Sequence, residues 1–145
     1  MAKKIFPFPL WFMVLITFIP TYMIFSDETQ DQPFADALTL IDERNYKDAL
    51  QILIQIKDSS PEIKHVIADC YTKNEIWEEA AKYYNQAIST EYVLSDYTTY
   101  HLAKCYQLLE DYENSVQYYQ LFINRYPESP HFSEAKFQIA VIHQK

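Results

Sequence analysis

Histidine side chains are the residues here that most readily bind a metal ion, but their spacing does not favour a site. The chain contains four of them: His65, His101, His131 and His143. No two form a His-x-x-x-His pair, and no Cys-x-x-Cys pair occurs, although such spacings are the usual way to place two ligands on one ion. We therefore predict no metal and no other cofactor, and we expect each histidine to be a partly exposed helix residue.

The pair Glu128-Ser129 places a carboxylate beside a hydroxyl, which could serve acid–base chemistry. It lies between Pro127 and Pro130, however, where a loop is expected. The chain also contains no glycine, and phosphate-binding loops and tight hairpin turns need glycine at fixed places. Nucleotide-binding and small β-barrel classes are therefore excluded. No pattern favours a Ser/His/Asp or Cys/His catalytic set, and we predict no catalytic residue.

The charge of the chain is unevenly distributed. The net charge is −8, yet Lys3 and Lys4 lie at the N-terminus and every acidic residue lies from Asp27 onward. Beyond residue 26, ten basic residues therefore face 20 acidic ones. A surface of this kind repels the phosphate backbone, and no compact basic stripe offsets the repulsion. We predict no nucleic-acid partner.

Residues 1–26 are typical of a targeting segment. Two lysines precede an uncharged run over residues 5–25, which is long enough for one membrane span of about 20 residues. The prediction is a single-pass inner-membrane protein whose C-terminal domain lies in the periplasm. The alternative is an exported chain whose signal peptide is cleaved. Pro20 would then end a short apolar core and residues 21–26 would lead to the cut, although Ile24 does not suit the small-residue rule there. Residues 27–32 are expected to be a linker.

Internal repetition organises residues 33–145. The stretch 68–88 aligns without a gap on 103–123, an offset of 35 residues that pairs Cys70 with Cys105 and Tyr84 with Tyr119. A weaker copy begins at Tyr46. Each copy has apolar residues three and four apart, which predicts two amphipathic helices joined by a short turn. The predicted units are 33–60, 61–95 and 96–129, with a half unit at 130–145.

The spacing resembles the tetratricopeptide repeat. In the better copy the family's positions are occupied by Leu102, Ala103, Tyr106, Ser115, Tyr119 and Pro127, and in the preceding copy by Ile67, Ala68, Tyr71, Ala80, Tyr84 and Ala87. The resemblance implies an all-α fold, a short solenoid of antiparallel helix pairs. Because packed helices lie 8–10 Å apart, beyond the reach of a disulfide, we interpret both cysteines as buried apolar residues.

A finer resemblance links residues 118–129 and Ala135 to bacterial periplasmic repeat proteins, including the helical arm of soluble lytic transglycosylases. That family's catalytic domain uses a helix-borne Glu-Ser followed by a glycine-containing segment, and neither is present. The predicted function is therefore a non-catalytic protein-binding scaffold of the bacterial cell envelope. The alternative is the helical portion of a lytic transglycosylase, truncated or separated from its catalytic domain.

The tetratricopeptide resemblance also implies that the first helix of each pair lines a concave face. The register places there Phe34, Leu38, His65, Asp69, Lys73, Tyr97, Tyr100, Lys104, Phe137 and Val141. Aromatic anchors beside a few charges suit an extended or helical peptide. We therefore predict a protein or peptide partner held in this groove.

The C-terminal residues predict a second surface. The repeat register predicts that residues 131–145 form the first helix of a fourth unit, and that helix is apolar on more than one side. Terminal repeats normally present a polar outer face, because nothing stacks on them. We therefore expect an association surface that includes Ile139 and Ile142, used for self-association or by a partner. The alternative is that the natural chain is longer.

Overall fold

The structure is a computed structural model that describes residues 28–57, 60–88 and 92–144. In these ranges the chain is all-α, as predicted, and its elements are α1 Glu28–Asp42, α2 Tyr46–Leu53, α3 Pro61–Lys73, α4 Trp77–Ala87, α5 Ser95–Leu108, α6 Tyr112–Arg125 and α7 Phe132–Ile142. The membrane span predicted at residues 5–25 lies outside them. Among the described helices the longest has 15 residues, and none is long and apolar enough to cross a bilayer.

Each helix packs on its neighbours in the chain. The contacts are most extensive within the successive pairs α1–α2, α3–α4 and α5–α6, and α7 packs on α6. Small residues make the close approach possible within a pair. Ala68, Ala80, Ala103 and Ser115 have no exposed surface, and the Ser115 hydroxyl donates to the Ala103 carbonyl oxygen at 2.9 Å. This hydrogen bond satisfies the Ser115 hydroxyl, which is buried at the contact between α5 and α6.

The core consists of three consecutive clusters rather than one. Its largest fully buried side chains are Tyr84, Tyr119 and Phe122, followed by Leu53 and Leu102. Tyr84 centres the cluster between α3, α4 and α5, whereas Tyr119 and Phe122 lie in the cluster that also contains residues of α7. Both cysteines are buried free thiols, as the interhelical spacing predicted.

Three helices begin with a side-chain cap. Ser60, Asn45 and Asp111 each accept a hydrogen bond from the backbone N–H three residues later, and Pro61 follows Ser60 at the first helical position.

The turn inside each pair has the same backbone geometry. Arg44, Glu75 and Glu110 are left-handed, with φ of 62°, 59° and 60°. In the last of these turns the Glu110 N–H donates to Gln107 and the Asp111 N–H donates to the Tyr106 carbonyl, at 2.9 Å. This pattern is the Schellman motif, whose left-handed position usually carries glycine.

Because a side chain costs energy in this conformation, Glu110→Gly is expected to raise the free energy of unfolding by about 0.5–1 kcal/mol, even though glycine adds entropy to the unfolded chain. Urea denaturation monitored by circular dichroism measures the change. Glu113→Gly is the matched control, since Glu113 is exposed inside α6 and its replacement should destabilise by a similar amount. A loss of stability in Glu110→Gly would contradict the expectation.

Candidate functional site

The Tyr97 ring lies among three imidazoles. Its centroid is 4.0 Å from that of His101, 5.4 Å from that of His65 and 5.9 Å from that of His131. His65 belongs to α3, Tyr97 and His101 to α5, and His131 immediately precedes α7. We call these four residues the Tyr97 cluster. It joins two successive helix pairs and the residue that precedes α7, on the face formed by the first helices.

The His65 ring is held in place by Thr98. Its Nδ1 lies 2.7 Å from the Thr98 hydroxyl oxygen, and that hydroxyl donates to the Leu94 carbonyl oxygen at 2.9 Å. The Thr98 hydroxyl thereby connects the His65 ring to the backbone at the start of α5. Burial lowers the pKa of His65, and the Asp69 carboxylate, 3.5 Å from Nε2, opposes that shift only in part. His65 is therefore neutral at pH 7.

The Asp69 carboxylate connects this cluster to the core. The hydroxyl of the fully buried Tyr84 donates to Asp69 Oδ1, and the Thr72 hydroxyl donates to the Tyr84 oxygen at 3.4 Å. Burial raises the pKa of Tyr84 far above its ordinary value, and the negative charge of Asp69 acts in the same direction. Tyr84 therefore remains a hydrogen-bond donor, and Asp69 fixes α4 against the inner side of α3.

His101 is the most strongly perturbed base of the site. Burial lowers its pKa to about 3, and the positive charge of Lys104 adds to that effect, with smaller contributions from His131, His65 and Lys73. Lys73 and Lys104 are themselves exposed. The surface beside His101 thus combines neutral aromatic rings with two exposed ammonium groups.

Tyr100 lies beside this surface but belongs to the core. Its ring stacks on His131 with centroids 4.4 Å apart and contacts Tyr119 and Phe122, so that only 7% of the residue is exposed. Tyr100 therefore fastens the start of α7 to α5 and α6. A pocket of about 300 Å³ opens next to it and is lined by Tyr100, Lys104, Gln107, Leu108, Tyr119, Glu134 and Gln138.

The structure brings together only part of the predicted groove. His65, Asp69 and Tyr97 are in mutual contact or share a partner, whereas Phe34 packs against the first core cluster. The accessible members are Leu38, Lys73, Lys104 and Phe137, and the partly accessible ones are Phe34, Asp69, Tyr97 and Val141. His65 and Tyr100 are buried, because other aromatic rings surround each of them. The role of all ten residues stays a prediction.

The C-terminal helix is covered more completely than expected. Ala135 and Ile142 are buried, and Ile139 packs partly buried against the same cluster, because these three residues lie on the side of α7 that faces the third pair. Phe137, 60% exposed, is the large apolar residue that α7 presents to solvent. An association surface at this helix would consequently use Phe137 rather than Ile142.

Three residues of the site were missed by the sequence reasoning. His101 and His131 were treated as isolated histidines, and Tyr84 as ordinary packing. The 35-residue offset does place His65 and His101 within one position of each other on neighbouring first helices, which is a usable signal. His131 precedes α7 and carries no such signal. Within the part of the chain that the structure describes, no group of three or more His, Cys, Asp or Glu residues could hold a metal ion.

Comparison with known proteins confirms the repeat. The tetratricopeptide repeat family model matches residues 97–129, and the chain carries a tetratricopeptide repeat there. No curated protein sequence matches the chain significantly.

Solved structures show the same fold over most of the chain. The type III secretion translocator chaperone SycD of Yersinia enterocolitica is 13% identical, with a TM-score of 0.72 over 87% of this chain and 91% of that one. SycD in complex with a peptide of the translocator YopD is 14% identical, with a TM-score of 0.66 over 81% and 91%. PcrH of Pseudomonas aeruginosa, bound to the chaperone-binding region of PopD, is 15% identical, with 0.67 over 82% and 94%.

These likenesses correct the predicted location. A single-pass inner-membrane protein with its repeats in the periplasm was inferred from the N-terminal charge pattern and a resemblance to periplasmic repeat proteins. No helix of the described residues could span a membrane, and the fold is shared with type III secretion chaperones, so the prediction of a single-pass inner-membrane protein is wrong. The resemblance to lytic transglycosylases stays a prediction.

Proposed function

We propose that this chain is a non-catalytic scaffold that holds a segment of a partner protein on the face formed by α3, α5 and the start of α7. The observation that carries the proposal is the Tyr97 cluster, an aromatic surface built by two consecutive helix pairs and the start of α7. The proteins that share the fold support it, since SycD holds a peptide of YopD and PcrH holds a region of PopD.

The chemistry of this face suggests what the segment carries. Tyr97 is partly exposed between the neutral rings of His65 and His101. Its ring offers an apolar contact surface for an aliphatic or aromatic side chain of the partner. Lys73 and Lys104 border it, and their charge reaches His101. A segment with an apolar anchor flanked by a carboxylate would satisfy both features.

Site-specific photo-crosslinking in the native cell tests the location of the site. A photoreactive amino acid replaces Lys104 in one variant and Lys47, an exposed residue of α2, in the control. We expect a defined adduct with a single protein from position 104 and none from position 47, and mass spectrometry then identifies the crosslinked segment. Equal adducts at both positions, or none at 104, would overturn the proposal.

The identified segment then allows affinity to be measured. Tyr97→Ala should weaken binding about thirtyfold, the typical effect of truncating an anchor worth about 2 kcal/mol, while helical content is retained. Tyr100→Ala is unsuitable for this purpose, because Tyr100 is buried and its loss disturbs the fold. Lys47→Ala is the control and should leave affinity unchanged. An unaltered affinity in Tyr97→Ala would show that the segment lies elsewhere.

A further inference from the structure

A second groove lies on the other helices of the central pairs, between α4 and α6. It has a volume of about 690 Å³ and is formed by seven residues, none of which is charged: Asn85, Ile88, Gln117, Tyr118, Gln120, Leu121 and Asn124. Four of the seven are amides. We call this surface the amide groove.

The floor of the amide groove is firmly connected to both helices. The Tyr118 hydroxyl donates to Asn85 Oδ1 at 2.9 Å, which links α6 to α4. The Tyr118 ring also stacks on Tyr106, with centroids 5.4 Å apart and an interplanar angle of 8°. Both features fix the side chains before any partner arrives, so binding there would cost little ordering entropy.

The outer wall of the groove is one exposed stripe of α6. Gln117, Leu121 and Asn124 are four and three residues apart, and they and Gln120 are exposed. Leu121 is 41% exposed, a substantial fraction for a leucine at the centre of a helix. The stripe therefore combines an apolar centre with amides on both sides, which is the composition of an interface core with a polar margin.

The charge of the chain determines which partner such a surface fits. Twenty acidic residues against 12 basic ones cause two copies to repel each other over most of their surfaces. The amide groove lacks charged side chains in its lining, so two copies can meet there without placing like charges together. An amide is also both donor and acceptor, so it can pair with the same amide of a second copy across a two-fold axis.

We propose that the amide groove is an isologous interface between two copies of this chain. The stripe on α6 of one copy packs against the amide groove of the other, with Leu121 near the centre and the amides paired around it. This surface is separate from the Tyr97 cluster, so the dimer and the partner-binding face are tested independently.

Charge substitution in the full chain provides the test. Gln117→Glu with Gln120→Glu places four carboxylates around the axis, and the same two positions changed to lysine place four ammonium groups there. We expect a dimer for the unsubstituted chain in sedimentation equilibrium at micromolar concentration. Each double variant should weaken it by at least about tenfold, since like charges facing across an interface are costly.

The decisive measurement is the mixture of the two variants. If the interface is two-fold, the glutamate and lysine variants should form a mixed dimer with each other more tightly than either does alone. The matched control is Gln51→Glu with Gln55→Glu, which adds the same charge at exposed positions on and just after α2. That control should dimerise like the unsubstituted chain.

Each other outcome overturns the proposal in a distinct way. A chain that is monomeric at high micromolar concentration has no such interface. Association that survives both double variants uses another surface, such as the apolar N-terminal residues, and association lost in Phe137→Glu but not in the double variants uses α7. Failure of the mixture to pair shows that the substituted residues do not face each other across an axis.

Discussion

Tyr84→Ala is expected to lower the free energy of unfolding by about 3–5 kcal/mol, the range typical of truncating a large aromatic side chain in a core. Tyr84 is fully buried in the cluster between α3, α4 and α5, so its removal leaves a cavity. It also removes the donor to Asp69, a carboxylate that then loses a hydrogen bond inside the fold. Urea denaturation monitored by circular dichroism measures the loss.

Two further variants separate these causes. Tyr84→Phe retains the packing and removes only the hydroxyl, so it should cost about 1–3 kcal/mol. Tyr83→Ala is the control for a neighbouring tyrosine, because Tyr83 is only partly buried and stacks on Tyr71 at 5.5 Å. We expect it to cost about 1 kcal/mol. Equal losses for Tyr83→Ala and Tyr84→Ala would refute the assignment of Tyr84 to the core.

Stability should also fall as the pH drops below 6.5, because His101 resists protonation in the folded chain. Its pKa is lowered from 6.5 to about 3 by burial and, to a smaller extent, by the neighbouring positive charge of Lys104. Between these two pH values His101 binds a proton in the unfolded chain but not in the folded chain. Its contribution to the free energy of unfolding is therefore complete above pH 6.5 and declines below it. The slope from one such group is about 1.4 kcal/mol per pH unit.

Between pH 7 and pH 5 the expected loss is therefore about 2 kcal/mol from His101, and His65, whose pKa is also lowered, adds to it. The measurement is the urea-unfolding free energy at pH values across this window. His101→Gln removes the titrating group and should flatten the profile, whereas His143→Gln, at an exposed position, should leave it unchanged. An identical pH profile for His101→Gln and the unsubstituted chain would falsify the claim.

Most of the fold could be predicted from the sequence, because the repeat places residues of one kind at fixed intervals. Apolar residues three and four apart predicted the helices. The repeat pattern includes the small residues Ala68, Ala103 and Ser115, which are fully buried where helices approach closely. The left-handed turn at Glu110 was less predictable. That position normally carries glycine, and nothing in the sequence indicates that a glutamate accepts the same conformation.

The candidate site could be predicted less well, because the repeat register indicates on which face of a helix a residue lies but not how deeply that residue is buried. Tyr97 and Tyr100 share a face in the sequence pattern, yet Tyr97 is partly exposed and Tyr100 is buried under His131. His131 reaches the site from the residue before α7, where no periodicity applies. Ile142 similarly appeared available on an unpaired helix, but α7 turns that side toward the third pair.

The packing of each helix mainly on its neighbour in the chain has a consequence for how this protein opens. Since the core is three consecutive clusters, the ends can unfold without breaking the centre, and the cost of opening rises inward from each terminus. The Tyr97 cluster crosses that order, because it takes residues from two successive pairs and from the start of α7. A partner segment bound over the Tyr97 cluster would hold these successive helices together. Separate local openings would then be coupled, and unfolding would become more cooperative while the segment is bound.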